Sequence, residues 1–292
     1  MLTDSKRLMG IAVDTAREAS AVAMQGFRKP LKISTKRDLH DMVTAYDVAT
    51  EERIRELLLA HEPGSRIIGE EGGATGDEGK LAWYVDPIDG TSNFARGIAM
   101  WCVSIAVALD GRIVAAAVYE PVSNLMFHAD AGAAFLNGQP IRAEGATRPE
   151  EATLIAHYPM PWDLAGDTGP VLAAYEDLVR RYAAVRNLGS SALSLSHVAA
   201  GWADATLCLG IKPWDVAAAS FILKQAGGRY RGFHAGEPVD GPQDYLQKHY
   251  LGTVEGAQFP EIERILRRGS ALLDQKGDDA VAQTATASGG ER

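Results

Sequence analysis

The segment Asp86-Pro87-Ile88-Asp89-Gly90-Thr91 sets two carboxylates three positions apart, with a proline between them and a glycine and a hydroxyl after them. Proline and glycine predict a turn there. A turn can aim both acids and the Ile88 carbonyl at one point, where a hard cation would sit. With no His or Cys in the segment, oxygen donors favour Mg2+, with Mn2+ as the alternative, over zinc or copper. The backbone N–H groups and hydroxyls of Gly90-Thr91-Ser92 then offer a cradle for a phosphate. Cations that neutralise a phosphate dianion and help deprotonate water suit phosphate-ester hydrolysis. Read alone, the same residues are also an ordinary acidic turn.

Three further acids extend the pattern. Glu70 and Glu71 follow the apolar run Arg66 to Gly69, as Asp86 follows Leu81 to Val85, so two predicted strands deliver carboxylates at their C-terminal ends. Asp215 lies at the start of a predicted helix, 214–226, where it is either a helix cap or a member of a site. Lys212 stands three residues before it.

The elements that must position these residues can be read from periodicity. Residues 5–27 carry apolar positions at helical spacing, and a second helix is expected over 48–61, stopped by Pro63-Gly64. Residues 102–119 alternate about Asp110-Gly111, which predicts an antiparallel hairpin. Helices near 170–181 and 192–200, a strand at 205–209 and the helix ending at Gly227-Gly228 form a second, smaller α/β half. The expected division is 1–145, 146–272 and an unstructured tail over 273–292, where periodicity gives way to Ala, Thr, Gly, Gln and charge.

Composition narrows the function classes. Among 292 residues, 29 Lys and Arg stand against 38 Asp and Glu, for a formal charge of -9. No basic run offers a footprint for nucleic acid or an anionic membrane, so neither is an expected partner. Cys102 and Cys208 are isolated, which argues against a zinc site or a disulfide framework. None of the seven histidines has metal-ligand spacing, and no Gly-x-Ser-x-Gly elbow is present. With no signal peptide and no run of about 18 apolar residues, a soluble protein of the cytoplasm is expected.

Asp86 to Phe94 resembles the first signature of the inositol monophosphatase family, the lithium-sensitive, Mg2+-dependent phosphatases of inositol and sugar phosphates. About 130 residues on, Lys212-Pro213-Trp214-Asp215 with Ala217 to Ala219 and Ala226-Gly227-Gly228 is similar to its second. Gly69-Glu70-Glu71, the Asp41 to Asp47 stretch preceded by Lys36, and Gly189-Ser190-Ser191-Ala192 also match family segments. The resemblance implies a layered α/β/α/β/α sandwich with an antiparallel N-terminal sheet and a mixed C-terminal half. It also implies two or three Mg2+ ions. Glu70, Asp86, Asp89 and the Ile88 carbonyl would hold one, and Asp86, Asp89 and Asp215 a second. Thr91 and Asp47, beside Glu70, would activate the water; Lys36 would sit on a mobile loop or simply in solvent. Gly90, Thr91, Ser92, Ser190, Ser191, Lys212 and Asp215 would meet the phosphate or the rest of the substrate. A homodimer acting on a small phosphorylated metabolite is expected.

The chain departs from the family at one telling place. Seven residues before Asp215, inositol-directed members carry a glutamate; here stands Cys208. Inositol or sugar monophosphate remains the first expectation. A 3'(2'),5'-bisphosphate nucleotide, fructose 1,6-bisphosphate and histidinol phosphate are the alternatives, and a non-catalytic regulator on the same scaffold is the alternative from another class.

Overall fold

The computed structural model describes residues 2–31, 33–35, 42–77 and 79–288. The apolar stripe of the first segment becomes α1 (Leu2–Gly26), followed by the short pair β1 (Ile33–Thr35) and β2 (Met42–Thr44) and by α2 (Ala45–His61). Next come β3 (Arg66–Gly69), β4 (Gly73–Thr75), β5 (Leu81–Asp89) and α3 (Thr91–Arg96). The hairpin β6 (Cys102–Leu109) and β7 (Arg112–Glu120) leads into β8 (Leu125–Ala129), β9 (Ala134–Leu136) and β10 (Gln139–Pro140). The C-terminal half holds β11 (Thr153–His157), α4 (Gly169–Arg181), β12 (Ala184–Arg186), α5 (Ser191–Ala199), β13 (Ala205–Leu209) and α6 (Pro213–Gln225). It closes with β14 (Arg229–His234), β15 (Glu237–Val239), β16 (His249–Thr253) and α7 (Pro260–Ser288).

Eight strands form one sheet in the order β10-β9-β8-β7-β6-β5-β3-β4, and six form another in the order β12-β11-β13-β16-β14-β15. Helices α1 and α2 cover the outer face of the first sheet through Ile54, Leu58, Ile67, Trp83 and Ile105, all fully buried. Helices α5 and α6 lie between the sheets, and α7 packs on the outer face of the second. The result is the expected five-layered α/β sandwich. A helix packed on both sides must be apolar all round and slim. In α6, Val216 to Leu223 are accordingly buried without a break, and Ala217, Ala218 and Ala219 let both sheets approach. One core cluster runs through both sheets, joining Ala106 and Val118 to Leu195, Leu207 and Ile222.

Three details differ from expectation, each for a physical reason. The first sheet is not wholly antiparallel: β3 and β5 are parallel, with Gly69 opposite Val85. Parallel pairing sends both strands out at the same end, which sets Glu70 next to Asp86. The turn expected at Pro87 is instead an irregularity inside β5, whose pairing with β6 shifts between Asp86 and Asp89. In a regular strand, residues three apart face opposite ways; the extra residue of a bulge brings both acids to one side. The tail expected from 273 is a continuation of α7 to Ser288. Its start is anchored, because Asp274 is buried, accepts from Ala235 N at 2.8 Å and meets His249 Nε2 at 3.2 Å. No described helix is long and apolar enough to cross a membrane.

Candidate active site

The acids converge where the first sheet meets the N-terminal ends of α5 and α6. Carboxylate oxygens of Glu70, Asp86 and Asp215 lie within 4.8 Å of one another, although the residues come from the turn after β3, from β5 and from α6. Glu70 is held in line by its backbone N–H, which donates to Val85 O at 3.2 Å. Asp86 is buried, and its Oδ1 accepts from Ile88 N at 3.0 Å. Asp215 caps the first turn of α6 by accepting from Lys212 N at 2.7 Å. The helix-cap reading and the site reading of Asp215 therefore both hold, one oxygen serving the cap.

Asp89 is tied from the far side. Its Oδ2 accepts from Ser190 Oγ at 2.5 Å and from Ala192 N at 2.7 Å, both at the N-terminus of α5. The Ser190 hydroxyl also accepts from Leu193 N at 3.2 Å. Ser190 is thus occupied in holding Asp89 and capping α5, while Ser191 beside it is buried. Cys102, opposite Asp89 in the sheet, places its Sγ 3.9 Å from the same carboxylate.

Confinement of four acids leaves a clear electrostatic signature. Burial first, then Glu70, Asp89 and Asp215, push Asp86 well above the ordinary carboxylate range. Asp215 rises well above that range through burial, Asp89 and Glu70. Asp89, also raised chiefly by burial, reaches about 6, because its bonds from Ser190 and Ala192 oppose the rise. Such a centre favours protons or a cation. The donors are all oxygen, so the residues fit a hard divalent ion such as Mg2+.

Beside the acids lies a second cluster. Thr91 Oγ1 is 3.0 Å from Asp47 Oδ1 and 3.0 Å from the Ile88 carbonyl. A hydroxyl has one proton, so Thr91 donates to one of these two oxygens at a time. Asp47 itself is fixed by Thr44, whose N–H and hydroxyl donate to Oδ2 at 2.8 and 2.6 Å in the capping box of α2. Burial raises Asp47, against the lowering effect of these bonds. Gly90, between Asp89 and Thr91, has φ 97°, and a Cβ there would stand 2.8 Å from Met100 O. Ser92 and Lys212 are exposed, and Lys36 lies outside the described residues.

Two positioning residues escaped the sequence reading. Glu51 of α2 is buried; its oxygens accept from Glu71 N and Gly72 N, each at 2.8 Å, and pair with Arg55 at 2.8 Å. It therefore holds the turn that carries Glu70. A Cβ on Gly69 would come within 2.4 Å of the Glu51 carboxylate, which is why that strand ends in glycine. Asn93 Nδ2 donates to Met100 O and to Leu188 O, both at 2.7 Å, and so ties the first half to the loop before α5. The Glu51/Arg55 spacing was a visible signal of an i,i+4 pair, but not of what the glutamate would hold.

Cys208 is buried and sits opposite His157 in the second sheet. Burial pushes its thiol well above the ordinary range. His157 is driven down to about 4 by burial and meets Ser194 Oγ at 2.9 Å. Both are neutral near pH 7.

Five layers with an acid-lined, all-oxygen centre between the first sheet and the helices beneath it define a class of carboxylate-site α/β proteins. The chain belongs to the inositol monophosphatase family, whose sequence profile matches residues 4–268. It is 35% identical over 281 residues to "Phosphatase IMPL1, chloroplastic" of Arabidopsis thaliana, covering 93% of this chain and 73% of that protein. It is 34% identical over 238 residues to "Nus factor SuhB" of Pasteurella multocida, covering 78% and 86%. Among solved structures, the Thermotoga maritima IMPase superposes with a TM-score of 0.78 at 26% identity, covering 90% of this chain and 97% of that one. The suhB protein of Bartonella henselae gives 0.76 at 27%, covering 90% and 98%. The absence of a nucleic-acid partner, expected from charge, draws no support from relatives named Nus factors.

Proposed function

We propose that the protein is a Mg2+-dependent phosphomonoesterase acting on a small inositol or sugar phosphate. The observation that carries this is the convergence of Glu70, Asp86 and Asp215 oxygens within 4.8 Å, with the Thr91–Asp47 pair alongside. Glu70, Asp86, Asp89, Asp215 and the Ile88 carbonyl would hold the ions. Bound Mg2+ supplies charge to neutralise the phosphate and lowers the pKa of water. Thr91, donating to Asp47, would accept a hydrogen bond from the attacking water, whose proton would pass to the Glu70 carboxylate or, as Thr91 gives up its own proton, through Thr91 to Asp47. Asp47 keeps its orientation through Thr44. Gly90, Thr91 and Ser92 receive the phosphate, while Ser191, Lys212 and the wall around Cys208 face the rest of the substrate. Neutral Cys208 and His157 favour a leaving group that asks for no buried anion, so sugar phosphates rank close to inositol monophosphate. Lithium inhibition, a homodimer and a cytoplasmic location belong to the same reading.

The test is phosphate release from a panel of phosphomonoesters, including inositol and sugar phosphates, adenosine 3',5'-bisphosphate and histidinol phosphate, with and without Mg2+ and lithium. Mg2+-dependent turnover on at least one is expected; none at any Mg2+ concentration sinks the proposal. Relatives named Nus factor favour a second reading, a binding or regulatory role on the same scaffold. A partner that binds Asp89→Asn as well as the unaltered protein would separate that role from catalysis.

A further inference from the structure

A second cavity lies away from the acids, between α4, α7 and the segment 158–168. Its volume is about 530 Å3, within the ~300–1,000 Å3 range of small-molecule sites. Leu178 and Leu209 form a buried floor, and Val171, Ala174 and Ile265 line the helical walls. The walls are pinned together at one end by Tyr182 Oη, which donates to Glu261 Oε1 at 2.6 Å. Trp162 closes another side, fixed by its Nε1 donating to Leu209 O at 3.0 Å.

The charges around the cavity are not equally committed. Asp177 pairs with Arg181 at 2.7 Å, Glu261 accepts a hydrogen bond from Tyr182 Oη, Asp163 accepts from Met160 N at 2.8 Å, and Asp167 from Gly169 N at 3.1 Å. Arg264 and Arg268, one turn apart on α7, also line the cavity. Among the described residues, neither has a carboxylate within ion-pair distance. An apolar hollow flanked by two uncommitted guanidinium groups is complementary to a molecule with an apolar body and an anionic end.

We propose that the cleft between α4 and α7 binds a small amphipathic carboxylate, its chain against Leu178, Leu209 and Ile265 and its head group at Arg264 and Arg268. None of the acids of the first site lines this cavity, and the binding test below does not depend on phosphatase activity.

Calorimetric titration of the full chain with decanoate, decanol and decyltrimethylammonium tests it. One molar equivalent of decanoate should bind, with decanol about tenfold weaker for want of the charged hydrogen bonds and the cation weaker still. The exposed pair Arg264→Gln with Arg268→Gln should erase the preference for decanoate while leaving decanol unchanged. Ala174→Trp, which fills the cavity from the wall, should abolish both, with circular dichroism confirming that each variant folds. No saturable decanoate binding, equal affinity for all three probes, or unchanged decanoate binding in either variant overturns the proposal. So does sedimentation showing that Ala174→Trp breaks a self-association, since a second copy would then be the occupant.

Discussion

At the scale of single residues, the acids are destabilising until a cation arrives. Asp89 shows the sign. Its folded pKa of about 6 lies above the ordinary 3.8, so the native state takes up a proton more readily than the unfolded chain. That contribution is full below about 3.8 and is lost as pH rises through 6. Mg2+ competes with the same protons, so its stabilising effect should grow between pH 5 and 7. Melting temperature measured with and without Mg2+ across that range checks this; a gain that shrinks with pH contradicts it. Asp89→Asn and Asp215→Asn remove a ligand charge and relieve repulsion. Each should lower kcat/KM by roughly a thousand-fold, the equivalent of about 4 kcal/mol. The metal-free variants should also melt no lower than the unaltered protein, since Asn can still accept the bonds from Ser190 or from Lys212 N.

At the scale of elements, the site depends on how strands and helices end. The parallel β3/β5 pair and the irregularity in β5 set Glu70, Asp86 and Asp89 on one side, and Glu51 fixes the turn between β3 and β4. Glu51→Ala leaves the Arg55 charge, the N–H groups of Glu71 and Gly72 and a void behind it. It should cost about 3 kcal/mol in urea unfolding, as the loss of one partner of a buried pair does, and raise the Mg2+ concentration needed for half-maximal activity. Gly69→Ala should reproduce the metal effect by displacing the Glu51 carboxylate. A fall in kcat with no change in Mg2+ requirement would show that the turn does not control the cation site.

At the scale of the whole molecule, α6 is the shared layer between the sheets, and Asp215 rides at its start. Overpacking it with Ala218→Leu should cost roughly 1–3 kcal/mol and disturb the distance between Asp215 and the acids of the first half. Helix α7 closes the outer face through Asp274, which caps Ala235 N and meets His249, whose Nδ1 accepts from Gly210 N at 3.2 Å. Asp274→Ala should therefore lower the melting temperature, while truncation after residue 280 should change it little. Equal losses from both would show that the distal turns are as anchored as Asp274.

Much of the site was legible because its chemistry is local. The Asp86 to Thr91 string, Asp215 at a helix start and the helical and strand periodicities all lie within one or two turns of chain. Their residue types alone fix what they can donate, accept or ligate. What the tertiary structure decided was which of them meet. That β3 runs parallel to β5, that Pro87 sits in a bulge rather than a turn, that Glu51 reaches across to hold Glu71 and Gly72, and that Ser190 is used on Asp89 all depend on contacts between residues 13 to 101 positions apart. Asp274 carried no local sign of its role for the same reason, since its partners lie 25 and 39 residues earlier in the chain. Hydrogen-bond capacity is a property of a residue; satisfaction of that capacity is a property of the fold.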